Sequence, residues 1–180
     1  MNNDQLLIVN SLPPSDPKRG TYLLWMDVAE PISVAFGRFR DGEQIAIPAG
    51  AYLYVGSAMG GMASRLLRHA SRRDVRHPHP ILPALEAHFG RMAASAPKKL
   101  HWHIDYLLEE TAVSFTRAFL IYSSHRWEDE AADFLQTAVE TEPIAHGLGA
   151  SDGRGSHLFR TTAHDWSFFV PLRFQQSTVN

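Results

Sequence analysis

The sequence predicts a single α/β (α+β) domain in which a small antiparallel or mixed β-sheet is flanked by helices. Three observations favour this class. The 180 residues are 44% hydrophobic and 20% charged, which suits one folded domain with a core of its own. Short β-like runs separated by turn signals fill the first third of the chain, and apolar residues at helical spacing follow. There is no internal repeat and no linker between two domains.

The first third of the chain is predicted to contain an arm and four strands. Residues 1–19 are predicted to form a flexible N-terminal arm, because Leu12–Lys18 contains three prolines and has no periodic pattern. The domain is predicted to occupy residues 20–175. The four β-like runs are Thr21–Asp27, Ile32–Arg38, Glu43–Ile47 and Ala51–Gly56. Turn signals separate these runs, so we expect an antiparallel meander.

The remaining elements are predicted to be mainly helical. Gly60-Gly61 opens a helix that is expected to run from Met62 to about Arg73. Residues 74–97 are rich in His, Pro and Ala and are interpreted as an insertion. The other expected elements are a short helix over Leu82–Phe89, a helix over about Trp102–Glu110, a buried strand over Ala112–Tyr122 and a helix over about Arg126–Glu140.

The composition excludes several classes of function. The chain has no cysteine, which excludes disulfide scaffolds, thiolate zinc sites and thiol nucleophiles. The longest apolar stretches, such as Ala118–Tyr122, are too short to span a bilayer, and the first residues do not resemble a signal peptide. We therefore expect a cytoplasmic protein with no membrane partner. The formal charge of −2 neither requires nor excludes a nucleic-acid partner.

Two tripeptides and an arginine form the most informative pattern. Gly20-Thr21-Tyr22 opens the first strand, and Tyr54-Val55-Gly56 closes the last strand of the expected meander. Arg65 follows Tyr54 by eleven residues on the first helix. In this order the three elements resemble the GIY-YIG nuclease superfamily, and within it the Uri-type endonucleases, which are also called the DUF123 family.

Longer segments extend the resemblance over about residues 20–160. They are Pro48–Gly61, Arg65–His69, Lys98–Leu108 and Gly147–Phe159. Two features depart from the family pattern. Gly153 and Gly155 stand where the family usually has cysteines, so no metal or redox role is expected for that segment. Residues 74–97 also lengthen a connection that is normally short in this branch.

The resemblance implies a metal-dependent endonuclease that hydrolyses phosphodiester bonds in DNA. It assigns Tyr22 as the general base for the attacking water and Tyr54 as a group that holds or polarises the same region. A phenol has a pKa near ~10, so nearby cations are needed to stabilise a phenolate. Arg65 and His69 share a helix face and are expected to supply this field. Arg65 is also expected to clamp the scissile phosphate, because a guanidinium binds phosphate through a planar fork.

The family's metal-binding glutamate lies on the helix that follows the buried strand. This helix offers Glu128 and Glu130, and both lie at the borders of its apolar stripe. The resemblance favours Glu128, whereas the spacing alone leaves both residues open. Mg²⁺ or Mn²⁺ is the expected cofactor, because these ions prefer hard oxygen ligands and accept one carboxylate with waters and substrate oxygens. Segment 56–61 lacks the Lys-Ser/Thr of a P-loop, and no organic cofactor is expected.

A basic stretch follows the expected phosphate clamp. Residues 62–76 contain five arginines against one acidic residue, Asp74. Basic runs are often only solvated helix faces, but beside a nuclease site contacts with DNA phosphates are expected. The residues expected to make these contacts are Arg68, Arg72, Arg73 and Arg76.

Two other functions are compatible with the sequence. The first is a non-catalytic nucleic-acid-binding module on the same fold. The second is a zinc hydrolase that uses His101, His103 and Asp105, because two imidazoles and a carboxylate at alternate positions of a strand can bind Zn²⁺. Against zinc, Tyr106 replaces the final histidine of the HxHxDH motif, and the segment is expected to begin a helix at about Trp102. The side chains would then fan out over more than one face.

Overall fold

The computed structural model describes residues 6–10, 18–94, 98–149 and 155–169. The strands are β1 (Leu6–Asn10), β2 (Gly20–Val28), β3 (Ile32–Ala35), β4 (Gln44–Ile47), β5 (Gly50–Ser57), β6 (Val113–Tyr122), β7 (Thr141–Pro143) and β8 (Leu158–Thr161). The helices are α1 (Met62–Ala70), α2 (Leu82–Phe89), α3 (His103–Glu109) and α4 (Glu128–Thr137), and a 3-10 segment spans Phe39–Gly42.

The strands form a six-stranded mixed sheet with the order β1-β6-β2-β5-β8-β7 and a separate β3–β4 hairpin. Strand β2 is antiparallel to both of its neighbours, β5 and β6. The outer strand β1 is parallel to β6. The predicted α/β (α+β) class with a mixed sheet and flanking helices is thus confirmed.

Two expectations for the first third of the chain differ from the structure. Residues 6–10 of the predicted arm form β1, which pairs with β6 more than a hundred residues later in the chain. Residues 1–5 and 11–17 of the arm lie outside the described residues. The expected meander is interrupted, because β2 pairs directly with β5 while β3 and β4 pair only with each other among the described residues. Turn signals mark where strands end but do not determine which strands pair.

The two faces of the sheet support separate hydrophobic clusters. Alternate residues of β2 point to opposite faces, with Leu24 and Met26 on one side and Leu23 and Trp25 on the other. The first face packs against α1, α2, α3 and the β3–β4 hairpin. The second face packs against α4 and the C-terminal aromatic residues. The sheet is therefore covered on both sides.

The observed helices lie close to their predicted positions. The short helix over Leu82–Phe89 has the predicted bounds. Helix α1 ends at Ala70, before the expected Arg73, because Ser71 has an extended backbone and its hydroxyl donates to the Leu67 carbonyl oxygen at 2.8 Å. Within the described parts of the chain, no helix is long and apolar enough to cross a membrane.

The expected insertion, residues 74–97, contributes to the core. Its buried residues Ile81 and Leu85 belong to the cluster under the first face of the sheet. His79 is also buried, and its Nδ1 accepts the Phe115 N–H at 3.1 Å. Residues 95–97 of the segment lie outside the described residues. The His79 N–H also donates to the Ala70 carbonyl oxygen at 2.9 Å, so the segment is attached to both α1 and β6.

Each signature tripeptide contains a glycine at a position where the structure has no room for a side chain. Gly20 has a φ of +155°, and a Cβ there would meet the Ile121 carbonyl oxygen on β6. Gly56 pairs with Tyr22 across the β2–β5 ladder. A Cβ on Gly56 would lie 2.5 Å from the Tyr22 hydroxyl oxygen. The tyrosine side chain therefore occupies the space that a side chain at residue 56 would need.

We predict that Gly56→Ala destabilises the protein by about 1–3 kcal/mol, because the Tyr22 ring must move within a packed core. The measurement is the free energy of urea-induced unfolding. Gly60→Ala is the matched control, since nothing lies within 4 Å of a Cβ at that position. The control is expected to stay within about 0.5 kcal/mol of the wild type. Equal stability of both variants would contradict the close approach of Tyr22 to β5.

Candidate active site

The site is built around a buried pair of side chains from β2 and α1. Tyr22 is 1% exposed and His69 is fully buried. The Tyr22 hydroxyl lies 2.9 Å from Nε2 of His69. Because Tyr22 is on the first face of the sheet and His69 is on the buried side of α1, packing of the helix onto the sheet brings the two together.

Asp105 of α3 lies on the other side of the His69 ring. One of its carboxylate oxygens is 3.4 Å from Nδ1 of His69. Arg68 donates to both carboxylate oxygens of Asp105, at 3.0 and 2.9 Å. The backbone N–H groups of His101 and Trp102 also donate to Asp105, at 2.8 and 3.0 Å. The carboxylate thus caps the start of α3 and holds α1 against it.

Burial keeps His69 neutral. It lowers the pKa of His69 to about 4, although contact with the Asp105 carboxylate favours protonation. Burial opposes ionisation of Asp105 as well, but its contacts with His69 and with the backbone N–H groups hold the pKa of Asp105 well below its usual range. At neutral pH a neutral imidazole therefore lies between an anionic carboxylate and a phenol. The expectation that His69 adds positive charge beside Tyr22 is not supported, because a neutral ring adds none.

The tyrosines and Arg65 influence one another electrostatically. Burial raises the pKa of Tyr22 well above its usual value, Tyr54 raises it further and the nearby Arg65 guanidinium opposes the rise. Burial and the charge of Glu128 raise the pKa of Tyr54, again against Arg65. Side chains from β2, β5, α1 and α4 are therefore close enough to act on the same hydroxyl groups. Both tyrosines are neutral at neutral pH.

A tryptophan positions the Arg65 guanidinium. The guanidinium carbon of Arg65 lies 3.7 Å from the centroid of the Trp102 ring, and that of Arg68 lies 4.5 Å from the same ring. Cation–π contacts of this kind stabilise a cation on an aromatic face. Arg68 is also fixed to Asp105, so Trp102 connects the phosphate clamp expected at Arg65 to the buried carboxylate.

Glu128 lies in this cluster, whereas Glu130 does not. The Glu128 side chain is 13% exposed, accepts a hydrogen bond from Ser57 and lies 3.3 Å from Nδ1 of His157. Burial tends to raise the pKa of Glu128, but these two contacts keep it below the usual value. Glu130 is 49% exposed and pairs with His125 at 3.0 Å. The structure therefore separates the two glutamates that sequence spacing left equivalent.

The Glu128 carboxylate fits the ligand chemistry of Mg²⁺ or Mn²⁺. It is ionised, and its contacts with Ser57 and His157 leave further lone pairs on both oxygens. Within the described residues, no three His, Asp or Glu side chains are grouped so that they could hold a metal ion. Any ion at Glu128 must therefore complete its shell with waters and substrate oxygens, which is common for Mg²⁺.

The four arginines expected to contact DNA fall into two groups. Arg68 is bound to Asp105 and donates to the Lys99 carbonyl oxygen. Arg72 donates to the carbonyl oxygens of Glu109, Glu110 and Val113, at the end of α3 and the start of β6. Both guanidinium groups therefore hold the fold together, which the basic character of the stretch did not indicate.

The other two arginines are accessible. The Arg73 side chain is 61% exposed and lies 3.5 Å from Glu109. The Arg76 side chain is 80% exposed and pairs with Asp74 at 2.9 Å. Neither residue reaches into the tyrosine cluster through any contact among the described residues. They remain candidates for phosphate contacts outside the site.

The three residues considered as zinc ligands have separate partners. Asp105 is bound to Arg68 and His69. Nδ1 of His103 accepts the Gly149 N–H at 3.1 Å. His101 is exposed and stacks edge-on against Trp102. The segment begins α3 at His103, so the expected helix start is observed and the geometry gives no support to a zinc site.

Sequence reasoning did not assign the residues that support the cluster. The sequence pattern presents Asp105 only as a possible zinc ligand and assigns no role to Ser57 or His157, although all three belong to segments that carry the family resemblance. A sequence signal for such a supporting residue is a charged side chain within an apolar run that is buried in the structure. Asp105, between Ile104 and Leu107, is an example. Asp152, in the same tail segment as His157, lies outside the described residues.

A family model described as "Domain of unknown function DUF123" matches residues 21–170. The matched range contains every residue of the cluster around Tyr22. No curated protein and no solved structure matches the chain.

We predict that Arg72→Ala lowers the free energy of unfolding by about 1–3 kcal/mol, because the part-buried carbonyl oxygens at the end of α3 and the start of β6 lose the charged donor that joins them. Chemical denaturation measures the effect. Arg76→Ala removes the same charge from an 80% exposed position and is expected to change stability by less than about 0.5 kcal/mol. If the two variants had equal stability and only Arg72→Ala lost DNA affinity, Arg72 would be a phosphate contact after all.

We also predict that stability decreases as the pH falls from about 6.5 to 4. Burial lowers the pKa of His69 to about 4 and that of His79 to about 3. In the unfolded chain both titrate near ~6.5, so the unfolded state binds more protons in this window and is favoured as the pH falls. Unfolding curves measured between pH 6.5 and 4 give the slope of the free energy of unfolding against pH. His79→Gln should make it shallower, whereas the exposed His164→Gln should leave it unchanged.

Proposed function

The chain belongs to the DUF123 family, and from this premise we propose that it is a GIY-YIG-type, metal-dependent endonuclease that hydrolyses phosphodiester bonds in DNA. The main support is that Tyr22, Tyr54, Arg65 and Glu128, from four separate elements, are close enough to act electrostatically on the same two tyrosine hydroxyls. A proton acceptor, a phosphate-binding cation and an ionised carboxylate at the same place are the groups that phosphodiester hydrolysis needs.

Tyr22 and His69 act together as the general base in this proposal. A phenol whose pKa is raised by burial is not a phenolate at rest, so Tyr22 alone is a poor base. Its hydroxyl lies 2.9 Å from a neutral imidazole nitrogen. As the attacking water loses a proton to the Tyr22 oxygen, the tyrosine releases its own proton to Nε2 of His69. The tyrosine then remains neutral throughout.

In the proposed hydrolysis one bond forms and one bond breaks at phosphorus. The water oxygen forms a bond to phosphorus, and the bond between phosphorus and the leaving sugar oxygen breaks. The proton removed from the water ends on His69 through Tyr22, and the leaving oxygen takes a proton from solvent water. His69 returns its proton to solvent through the Tyr22 hydroxyl before the next turnover.

Arg65 binds the phosphate that is cleaved. Its guanidinium rests on Trp102 and acts electrostatically on both tyrosine hydroxyls, so in this proposal it faces the position that the water and phosphate would share. A guanidinium held in this way strengthens its contact as negative charge develops on the phosphate oxygens. Arg65 also opposes the rise in the pKa of Tyr22, which favours proton transfer through that residue.

Glu128 would hold Mg²⁺ or Mn²⁺ at the edge of the cluster. When bound, the ion would neutralise charge on the phosphate and stabilise the leaving oxygen. Ser57 and His157 keep the carboxylate ionised and oriented. For DNA outside the cleaved phosphate, Arg73 and Arg76 are the exposed cations of the basic stretch, and contacts from them would add salt-dependent affinity.

We predict that the purified protein cleaves labelled DNA with Mg²⁺ or Mn²⁺, and that Tyr22→Phe and Glu128→Gln each lower the single-turnover rate at least about 100-fold. Phenylalanine removes the hydroxyl that passes the proton, and glutamine removes the charge that would hold the ion. The assay uses duplex, flap and junction substrates at saturating enzyme. Glu130→Gln is the matched control on the same turn of α4 and is expected to stay within about 2-fold of the wild type.

Each other outcome has a clear meaning. DNA binding without cleavage in either metal would identify a non-catalytic nucleic-acid-binding module. An equal loss of cleavage rate in Glu128→Gln and Glu130→Gln would contradict the assignment of the metal site to Glu128. If the protein neither bound nor cleaved any of these substrates, the proposed function in DNA hydrolysis would be rejected.

A further inference from the structure

We propose that Asp105 is a positioning residue that fixes the tautomer and orientation of His69, so that Nε2 is the nitrogen that receives the proton from Tyr22. The inference rests on the proposed function, in which His69 is the final proton acceptor. It adds a residue that touches neither water nor phosphate and acts only through the imidazole.

The three side chains form a continuous line through the core. The Tyr22 hydroxyl is 2.9 Å from Nε2 of His69, and Nδ1 on the far side of the ring is 3.4 Å from Asp105. His69 and Asp105 are fully buried, and Tyr22 is 1% exposed. Water cannot substitute for either neighbour of the ring without a rearrangement of the core. The state of each ring nitrogen is therefore set by the protein.

The ionised carboxylate determines which nitrogen carries the proton. A carboxylate anion accepts hydrogen bonds and donates none, so at 3.4 Å it favours the proton on the ring nitrogen that faces it, which makes no hydrogen bond of normal geometry to any other described group. Asp105 is ionised because Arg68 and two backbone N–H groups donate to it. The proton of neutral His69 accordingly lies on Nδ1. Nε2 is left with a free lone pair, which can accept the Tyr22 hydroxyl proton.

Asp105 also compensates for the cations that surround His69. The charged or titratable groups that act on the ring from its own helix and from the neighbouring elements are Arg65, Lys98, Asp105, Tyr22 and His79. Arg65 and Lys98 disfavour a proton on His69, and Asp105 favours it. The imidazolium that forms when the proton arrives is thus stabilised by one carboxylate. Because Arg68 binds both oxygens of that carboxylate, Asp105 remains an anion and does not take the proton itself.

Asp105→Asn removes the carboxylate charge beside His69 but keeps one oxygen for the contacts with Arg68 and with the start of α3. The asparagine oxygen can still accept the backbone N–H groups that cap α3, but its amide can present N–H groups to Nδ1 of His69. The imidazole would then carry its proton on Nε2 and could no longer accept one from Tyr22. Histidine ¹⁵N NMR reports which ring nitrogen is protonated, and His69→Gln identifies the resonance.

We predict that His69 carries its proton on Nδ1 in the wild-type protein and on Nε2 in Asp105→Asn. We further predict that Asp105→Asn lowers single-turnover cleavage at saturating DNA by about 100-fold to 10,000-fold with little change in DNA affinity. Glu109→Gln is the matched control, because Glu109 also binds a cation, Lys98, from α3 but does not contact His69. It should keep the wild-type tautomer and rate within about 3-fold.

The NMR measurement decides the inference even where activity does not. A proton on Nε2 in the wild-type protein would overturn it, whether or not Asp105→Asn folds. A wild-type cleavage rate in an Asp105→Asn protein with the altered tautomer would also overturn it, while leaving the nuclease function intact. If the wild-type protein cleaved no DNA, the nuclease proposal would fail. Comparison of the His69 tautomer in the wild-type and Asp105→Asn proteins would still show whether Asp105 determines which ring nitrogen is protonated.

Discussion

The structure depends on one buried carboxylate. An ionised group inside a protein is tolerated only when hydrogen bonds and opposite charge replace its water, and Asp105 receives both. Arg68 comes from α1, the backbone N–H groups come from the start of α3, and His69 links the carboxylate to Tyr22 on β2. Satisfying this one charge therefore fixes two helices relative to the central strand. It also places the ring of His69 where chemistry can use it.

The signature glycines express a second constraint, which is space. A tyrosine can lie across the neighbouring strand only where that strand has no side chain, and Gly56 meets this condition directly opposite Tyr22. Gly20 allows the start of β2 to approach the Ile121 carbonyl oxygen on β6. The two tripeptides are thus related through packing, because Gly56 of the second leaves the space that Tyr22 of the first occupies.

Local pattern predicted much of the fold, and contacts distant in sequence account for what it missed. The bounds of α2 follow from helical spacing, and the start of α3 was expected within one residue. The apolar run Leu6–Val9 is a local signal for β1, but the prolines that follow it favoured an arm, and only the parallel pairing with β6 shows that the run is a strand. The sequence selected Tyr22, Tyr54 and Arg65 by their order along the chain. It did not indicate that Arg72 would bind backbone carbonyl oxygens, since those partners are defined only once α3 and β6 are in place.

The same carboxylate connects the proposed base and the proposed phosphate clamp. Asp105 holds Arg68, Arg68 lies on the Trp102 ring, and the same ring positions the guanidinium of Arg65. On its other side Asp105 faces His69 and, through it, Tyr22. An enzyme gains most from groups that are already fixed before charge develops, because they need no reorganisation during the reaction. The base and the clamp are therefore parts of one packed unit, in which Asp105 faces His69 directly and reaches Arg65 only through Arg68 and Trp102.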